Sequence, residues 1–185
     1  MHTYWDILGS FIIGSLFMMT ILVFHNSISQ ERSMSNLWII TQENVKTLSD
    51  VIEYDFRKIG YGVSSEQCSF ISADSTDISF YSDLNRDGNI DSIRYYVSDT
   101  TQASGTDNPK DVLFYRIVNG QSIPGSALGL THLKLSYYDS TGAATSILGN
   151  IREIEIEFSI ESPMTMDSYY PSVFMKKKIK PKNII

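Results

Sequence analysis

Ile7–Phe24, ILGSFIIGSLFMMTILVF, carries no charged side chain. At about 1.5 Å rise per residue, a helix over this stretch runs roughly 27 Å, close to the hydrocarbon thickness of a bilayer. No turn residue closes it. From His25 the chain becomes polar but stays free of Pro and Gly until Gly60. Apolar residues recur at Met34, Leu37, Val45, Leu48, Ile52, Phe56 and Ile59, with Thr41 filling the one gap in steps of three and four. That is one helical stripe. The pattern predicts a single helix from Ile7 to about Ile59, about 80 Å long. Its first half is apolar all round, its second half is amphipathic, and Gly60 stands just beyond the last turn.

The chain has 185 residues. Setting the helix aside leaves about 125, enough for one modest core. A net charge of −6 gives no support for nucleic-acid binding by the chain as a whole. Lys176, Lys177, Lys178, Lys180 and Lys182 form a basic tail. It reads either as the solvated face of a last strand or as a site for an acidic partner or lipid. The single cysteine, Cys68, makes an internal disulfide impossible. Within QCSFIS it reads as a buried small hydrophobe, and nothing nearby would activate it as a nucleophile. The apolar run is long for a signal-peptide core. No basic segment precedes it, and no small-residue cleavage pattern follows Phe24. It therefore reads as a retained anchor. No Lys or Arg lies before the span, so the positive-inside rule does not orient it.

All the proline lies late, at Pro109, Pro124, Pro163, Pro171 and Pro181. After Gly62 the apolar period changes from 3.6 to 2. Strands are expected at Ile78–Tyr81, Ile90–Val97, Val112–Val118, Leu133–Tyr138 and Ile151–Ile160. Ser172–Lys180 would be a last, edge strand whose lysines discourage further pairing. In Ile151–Ile160 the residues Ile154, Ile156 and Phe158 share one face, and Glu153, Glu155 and Glu157 the other, solvated face. Asn119–Gly129 reads as a Gly/Ser/Pro-rich loop and Asp99–Lys110 as a polar, mobile one. The expected architecture is α+β: a long N-terminal helix, membrane-spanning in its first half, packed on one antiparallel sheet. Residues 1–25 would be the transmembrane segment, 26–62 its amphipathic continuation and 63–185 a β-rich head.

The sharpest motif is Asp83-Leu-Asn85-Arg-Asp87-Gly88-Asn89-Ile90-Asp91. Oxygen-bearing side chains at every second position, with Gly sixth, match a Ca²⁺ loop. On that reading Asp83, Asn85, Asp87, Asn89 and Asp91 are the candidate ligands. The twelfth position is Arg94, where an EF-hand needs a bidentate Glu, and the loop joins strands instead of helices. A plain hairpin turn favours the same residues. Catalysis finds no support. His2, His25 and His132 are far apart in sequence, and Gly120-Gln-Ser122-Ile-Pro124 fails the nucleophile-elbow pattern at Pro124. No metal-spaced His/Cys set or phosphate-binding glycine loop is present. Within the span, Ser10 and Gly14 form a small-xxx-small pair and Gly9 a second notch, where another helix can approach closely.

A greasy helix that runs into an amphipathic one and then a β-rich head resembles a type IV pilin or a type II secretion pseudopilin. Such proteins begin, after a leader ending in Gly, with Phe-Thr-Leu-x-Glu and an apolar run. His2-Thr3-Tyr4-Trp5-Asp6-Ile7-Leu8 can be laid on that pattern, with Thr3 on the Thr and Asp6 on the Glu. Tyr54–Gly62 (YDFRKIGYG) resembles the end of the long helix in PilW-like minor pilins. So do the Asp83–Asp91 loop, Phe114–Gly120, Leu133–Tyr138, Ile151–Ile156 and the closing Ile179–Asn183, in the same order. Met1 stands in place of the cleavage-site Gly and His2 in place of the Phe. Either the chain begins late or this member is not processed by a prepilin peptidase.

The resemblance implies a structural subunit without enzymatic activity, a minor pilin or pseudopilin that helps initiate or cap a filament. It further implies a single-pass inner-membrane protein with a cytoplasmic N-terminus and an extracytoplasmic head. Its partners would be other pilins or pseudopilins, met through the N-terminal helix. Thr3, Asp6, Gly9, Ser10 and Gly14 become the candidate assembly residues, with Asp6 meeting the N-terminal amine of a neighbouring subunit. The alternative for Asp6 is an interfacial residue marking where the membrane begins. The alternative for the chain is a membrane-anchored extracytoplasmic binding module, Ca²⁺-dependent if the loop binds the ion, that never enters a filament.

Overall fold

The computed structural model describes residues 2–103, 105–126, 128–165 and 169–184. It has an α+β layout: one long N-terminal helix, α1 (His2–Phe56), followed by eight strands. By internal contacts the chain forms two compact units, Met1–Leu37 and Trp38–Ile185.

The first unit is helix alone. From Tyr4 to Phe24 its large apolar side chains are at least 46% exposed. The serine and threonine hydroxyls between Tyr4 and Phe24, and that of Ser27 beyond, are satisfied by the helix's own backbone. Ser10 donates to the Asp6 carbonyl (2.7 Å), Ser15 to Ile12 (2.8 Å), Thr20 to Leu16 (2.9 Å) and Ser27 to Val23 (3.1 Å). These four hydroxyls therefore need no water. Among the described residues, one helix is long and apolar enough to cross a membrane. No residue of its apolar stretch is buried.

In the second unit the stripe read from the sequence is buried from Thr41 onward, through Val45, Leu48, Ile52, Phe56 and Ile59. α1 ends at Phe56, a turn earlier than the pattern suggested. Lys58 and Ile59 close tighter bonds back to Asp55 and Phe56. Gly60 (φ +80°) then reverses the chain. A Cβ there would sit 2.7 Å from the Asn183 carbonyl, so both backbone angle and close packing require glycine.

The β part is two antiparallel meanders instead of the single sheet expected. The first contains β1 (Phe70–Ala73), β2 (Asp77–Ser82), β3 (Asp91–Val97), β4 (Phe114–Val118) and β5 (Gln121–Ser126), in that order. The second contains β6 (Leu130–Tyr138), β7 (Glu153–Glu161) and β8 (Ser172–Ile179). β5 lies inside the segment read as a loop. It is an edge strand, the place in a sheet where a proline such as Pro124 is tolerated. The two sheets share one core. Ile78, Phe80, Ile93, Tyr95 and Phe114 come from the first sheet. Leu133, Leu135, Ile154, Ile156, Phe158 and Ile160 come from the second, and both sets cluster with the buried face of α1. Phe56 meets Phe80 and Tyr95 edge-on, each at 5.7 Å between ring centres, and Tyr95 stacks on Phe114 at 5.2 Å. A register shift between Leu130 and His132 lets Leu130 and Leu133 both face inward despite their odd spacing.

Two further expectations are corrected. Cys68 is exposed, because it lies in the coil before β1, and Phe70 is the first of that segment to enter the core. The described residues of the polar segment before β4 are tied down at two points: a 3-10 turn at Thr100–Ala103 buries Ala103, and Asn108 is buried with its amide on Glu161.

Candidate functional site

The assembly candidates lie on α1. Thr3, Asp6, Ser10 and Gly14 are spaced by three and four residues, so they form one strip down the helix, with Gly9 beside it. A Cβ added at Gly9 or Gly14 would meet nothing within 4 Å. Neither glycine is demanded by packing within this chain, so both leave notches on the helix surface. Asp6 stands one residue before the apolar run, and its backbone carbonyl holds Ser10.

The Asp83–Asp91 loop joins β2 to β3, and its oxygens are turned toward its own backbone. Asp83 accepts from the N–H of Asp87 and of Gly88, each at 3.1 Å. Asn85 Oδ1 accepts from the Asp87 N–H at 3.1 Å, and Asp87 Oδ1 from the Asn89 N–H at 2.7 Å. That last bond, with one from Asn85, lowers the Asp87 carboxyl below the usual carboxylate range. Asp91 accepts from the Leu84 N–H and the Asn119 amide. This is the bonding of a tight Asx-rich hairpin. Among the described residues no three His, Cys, Asp or Glu side chains converge as a metal would require. The five candidate ligands do not fit a preformed Ca²⁺ cage in this arrangement.

A buried polar cluster ties α1 to the first sheet, and the sequence reading did not identify it. Asp55, on α1 between Ile52 and Phe56, is 3% exposed. Its Oδ2 accepts from the Tyr95 hydroxyl and, at 2.8 Å, from Arg116 Nε; Arg116 Nε also lies 2.9 Å from the Tyr95 oxygen. Burial, reinforced by the Asp55 carboxylate, pushes the Tyr95 hydroxyl well above its ordinary value. Burial acts to lower the Arg116 guanidinium, but its bonds to Asp55 and Tyr95 outweigh that and leave it raised. The signal was a charge of each sign set in apolar surroundings: Asp55 in the stripe, and Arg116 in VLFYRIV.

The basic tail is largely neutralised. Lys176 pairs with Glu155 (2.8 Å) and Glu157 (2.6 Å), Lys178 with Glu153 (2.9 Å), and Lys180 with Glu153 (3.0 Å). The Lys176 and Lys178 bonds lower the Glu155 and Glu153 carboxyls respectively. Lys177 reaches the other way, to Glu53 of α1, whose carboxyl it lowers, helped by Arg57. The outer face of β7 is thus a cross-strand charge ladder, and Glu155 is buried beneath it. Cys68 rims a cavity of about 240 Å³ whose only charged lining residue among those described is Glu66.

No protein-family model, characterised protein or solved structure matched this chain.

Proposed function

We propose that the protein is a filament subunit of the minor-pilin or pseudopilin kind, anchored by the first half of α1 and presenting the β head outside the membrane. The observation that carries this reading is α1 itself. It is one helix, apolar and exposed on every side in its first half, with one face of its later part, from Thr41 on, buried in the core with the β-strands. A lipid-embedded helix reads like the first half, and the shaft of a globular head reads like the second. The strip of Thr3, Asp6, Ser10 and Gly14 supplies what helix-to-helix assembly in lipid requires: a close approach at small residues and one carboxylate to meet a cation. A charged side chain costs about 2.5–3.5 kcal/mol at a helix centre on insertion scales and less near the interface, so a carboxylate at the edge of the span gains from a partner.

Asp6→Ala, expressed in the native host, tests the reading. The variant is expected to stay stable and membrane-inserted but to be depleted from sheared filaments, while Asp6→Glu behaves like the native chain. Native levels of Asp6→Ala in filaments would make Asp6 a boundary residue. Absence of the native chain from sheared filaments, with no copurifying pilin-like subunits, would overturn the reading and leave the chain a membrane-anchored binding module.

A further inference from the structure

Three aspartates of the head are buried, and two of them are well bonded. Asp83 accepts from the N–H groups of Asp87 and Gly88, and Asp55 from Arg116 and Tyr95. Asp111, in the turn leading into β4, is different. It is 1% exposed, and neither carboxylate oxygen meets a donor in hydrogen-bonding geometry. Among the described residues no other buried side-chain polar atom is left in that state. An ionised carboxylate so placed is costly, because it has lost water and gained no partner.

The surroundings suit the neutral form better. The Thr106 hydroxyl acts on the Asp111 carboxyl, but its proton is also claimed by the carbonyls of Ala103 (3.2 Å) and Asn108 (3.5 Å). A protonated Asp111 removes that competition, since it can donate to the Thr106 oxygen. From β7 the charge that faces Asp111 is the Glu161 carboxylate. Lys110, on the same turn as Asp111, is turned to Glu161 (3.2 Å), and β6 brings the apolar Leu130, whose carbonyl takes the Val112 N–H (2.8 Å). Burial holds the Asp111 carboxyl above the usual carboxylate range; the Thr106 hydroxyl works against this and the Glu161 charge adds to it.

The turn is fastened to the rest of the head by side chains near its surface. Asn108 Nδ2 (2.9 Å) and Lys110 Nζ (3.2 Å) donate to Glu161, and the Tyr170 hydroxyl donates to the Asp107 carbonyl (3.1 Å). We propose that Asp111 is a proton-controlled latch: neutral, it lets the 106–111 turn dock against the ends of β6 and β7; ionised, it releases that turn to reach water. The sign follows from linkage. Docking is strongest below the ordinary Asp value of about 3.9, weakens as pH rises through the raised value of the docked state, and stays weak above it. Glu153 and Glu155 act in the opposite direction and in a separate window, losing their contribution below the ordinary Glu range. The latch belongs to the head alone and holds whether or not the chain enters a filament.

The test is hydrogen exchange by mass spectrometry on the full chain in detergent, pulsed from pH 4.5 to 8.5 and corrected for intrinsic exchange. Peptides spanning 106–113 are expected to open at least about tenfold more often at pH 8.5 than at pH 4.5, the effect of one unit of raised pKa, while the middle of β7 is unchanged. Asp111→Asn, which stays neutral, should keep the protection of the native chain at pH 4.5 across the whole range. Glu161→Gln removes the charge that opposes ionisation, so the midpoint of the opening transition should move to lower pH. That shift carries the comparison if Asp111→Asn does not fold. Equal protection of the native turn at both ends of the range would overturn the proposal. So would a native-like pH dependence in Asp111→Asn, or an unmoved midpoint in Glu161→Gln.

Discussion

Replacing Asp55 by Ala tests whether the buried Asp55–Arg116–Tyr95 cluster holds α1 against the first sheet. The substitution leaves a guanidinium and a phenol facing a methyl group. Breaking a buried ion pair from one side costs about 3–5 kcal/mol, because the remaining charge is stranded. Arg116 is not sealed: its side chain is 25% exposed, so water recovers part of that cost. Tyr95 is 1% exposed, and a hydroxyl there without an acceptor adds about 1–3 kcal/mol. Allowing for overlap between the two terms, the expected loss is about 3 kcal/mol. That is a large share of the 5–15 kcal/mol typical of a domain, and about 6–12 °C in unfolding midpoint for a head of this size. Urea denaturation followed by circular dichroism measures it. Replacing all three groups by apolar ones (Asp55→Leu, Tyr95→Phe, Arg116→Met) should restore most of the loss, since no charge is then stranded. Two results would refute the reasoning: a loss below about 1 kcal/mol for Asp55→Ala, or equal costs for Arg116→Met in the native and Asp55→Ala backgrounds, which would mean the groups are not coupled.

Gly60→Ala should destabilise the head by more than about 2 kcal/mol, since it combines a left-handed backbone with a Cβ 2.7 Å from the Asn183 carbonyl. Gly88→Ala, equally left-handed at φ +87° but with open space around it, should cost only about 1 kcal/mol, and similar urea midpoints for the two would contradict the packing argument. The Glu153 and Glu155 carboxyls are lowered in the folded chain, so their contribution is present above the ordinary Glu range and is lost as pH falls through their lowered values. Glu155→Gln should therefore reduce thermal stability at pH 7 and make no difference near pH 2; a gap that persists in acid would assign the effect to packing.

The helix was legible because its signal is local. One period of 3.6 residues, read from Met34 to Ile59, names the side chains that are buried from Thr41 onward. Strand faces were legible for the same reason: Ile154, Ile156 and Phe158 alternate with glutamates and enter the core as expected. What alternation does not encode is which strand pairs with which. β5 escaped because QSIPGS has the composition of a loop, and only its place at a sheet edge permits the proline. Asp55 and Arg116 are 61 residues apart, and no local pattern joins them. The Asp83–Asp91 motif was legible as a turn but ambiguous as a site. The same residues serve a cation or a hairpin, and the difference lies in whether their oxygens face a common centre or the backbone N–H groups.

The basic tail shows how pairing changes the meaning of a charge run. In sequence, the lysines of β8 read equally well as a docking patch. In the sheet, Glu157 lies opposite Lys176 and Glu155 opposite Lys178, so the register that buries Ile154, Ile156 and Phe158 also aligns opposite charges on the outer face. An acidic partner would have to compete with carboxylates already 2.6–2.9 Å away on the neighbouring strand. Lys177 belongs to the inner row, opposite Ile156, and extends its ammonium to Glu53 of α1. The lysines therefore act twice within the fold, stitching the edge strand to β7 and the second sheet to the helix. They also discourage a further strand from adding at that edge, because an incoming chain would meet ammonium groups with no carboxylates left to share.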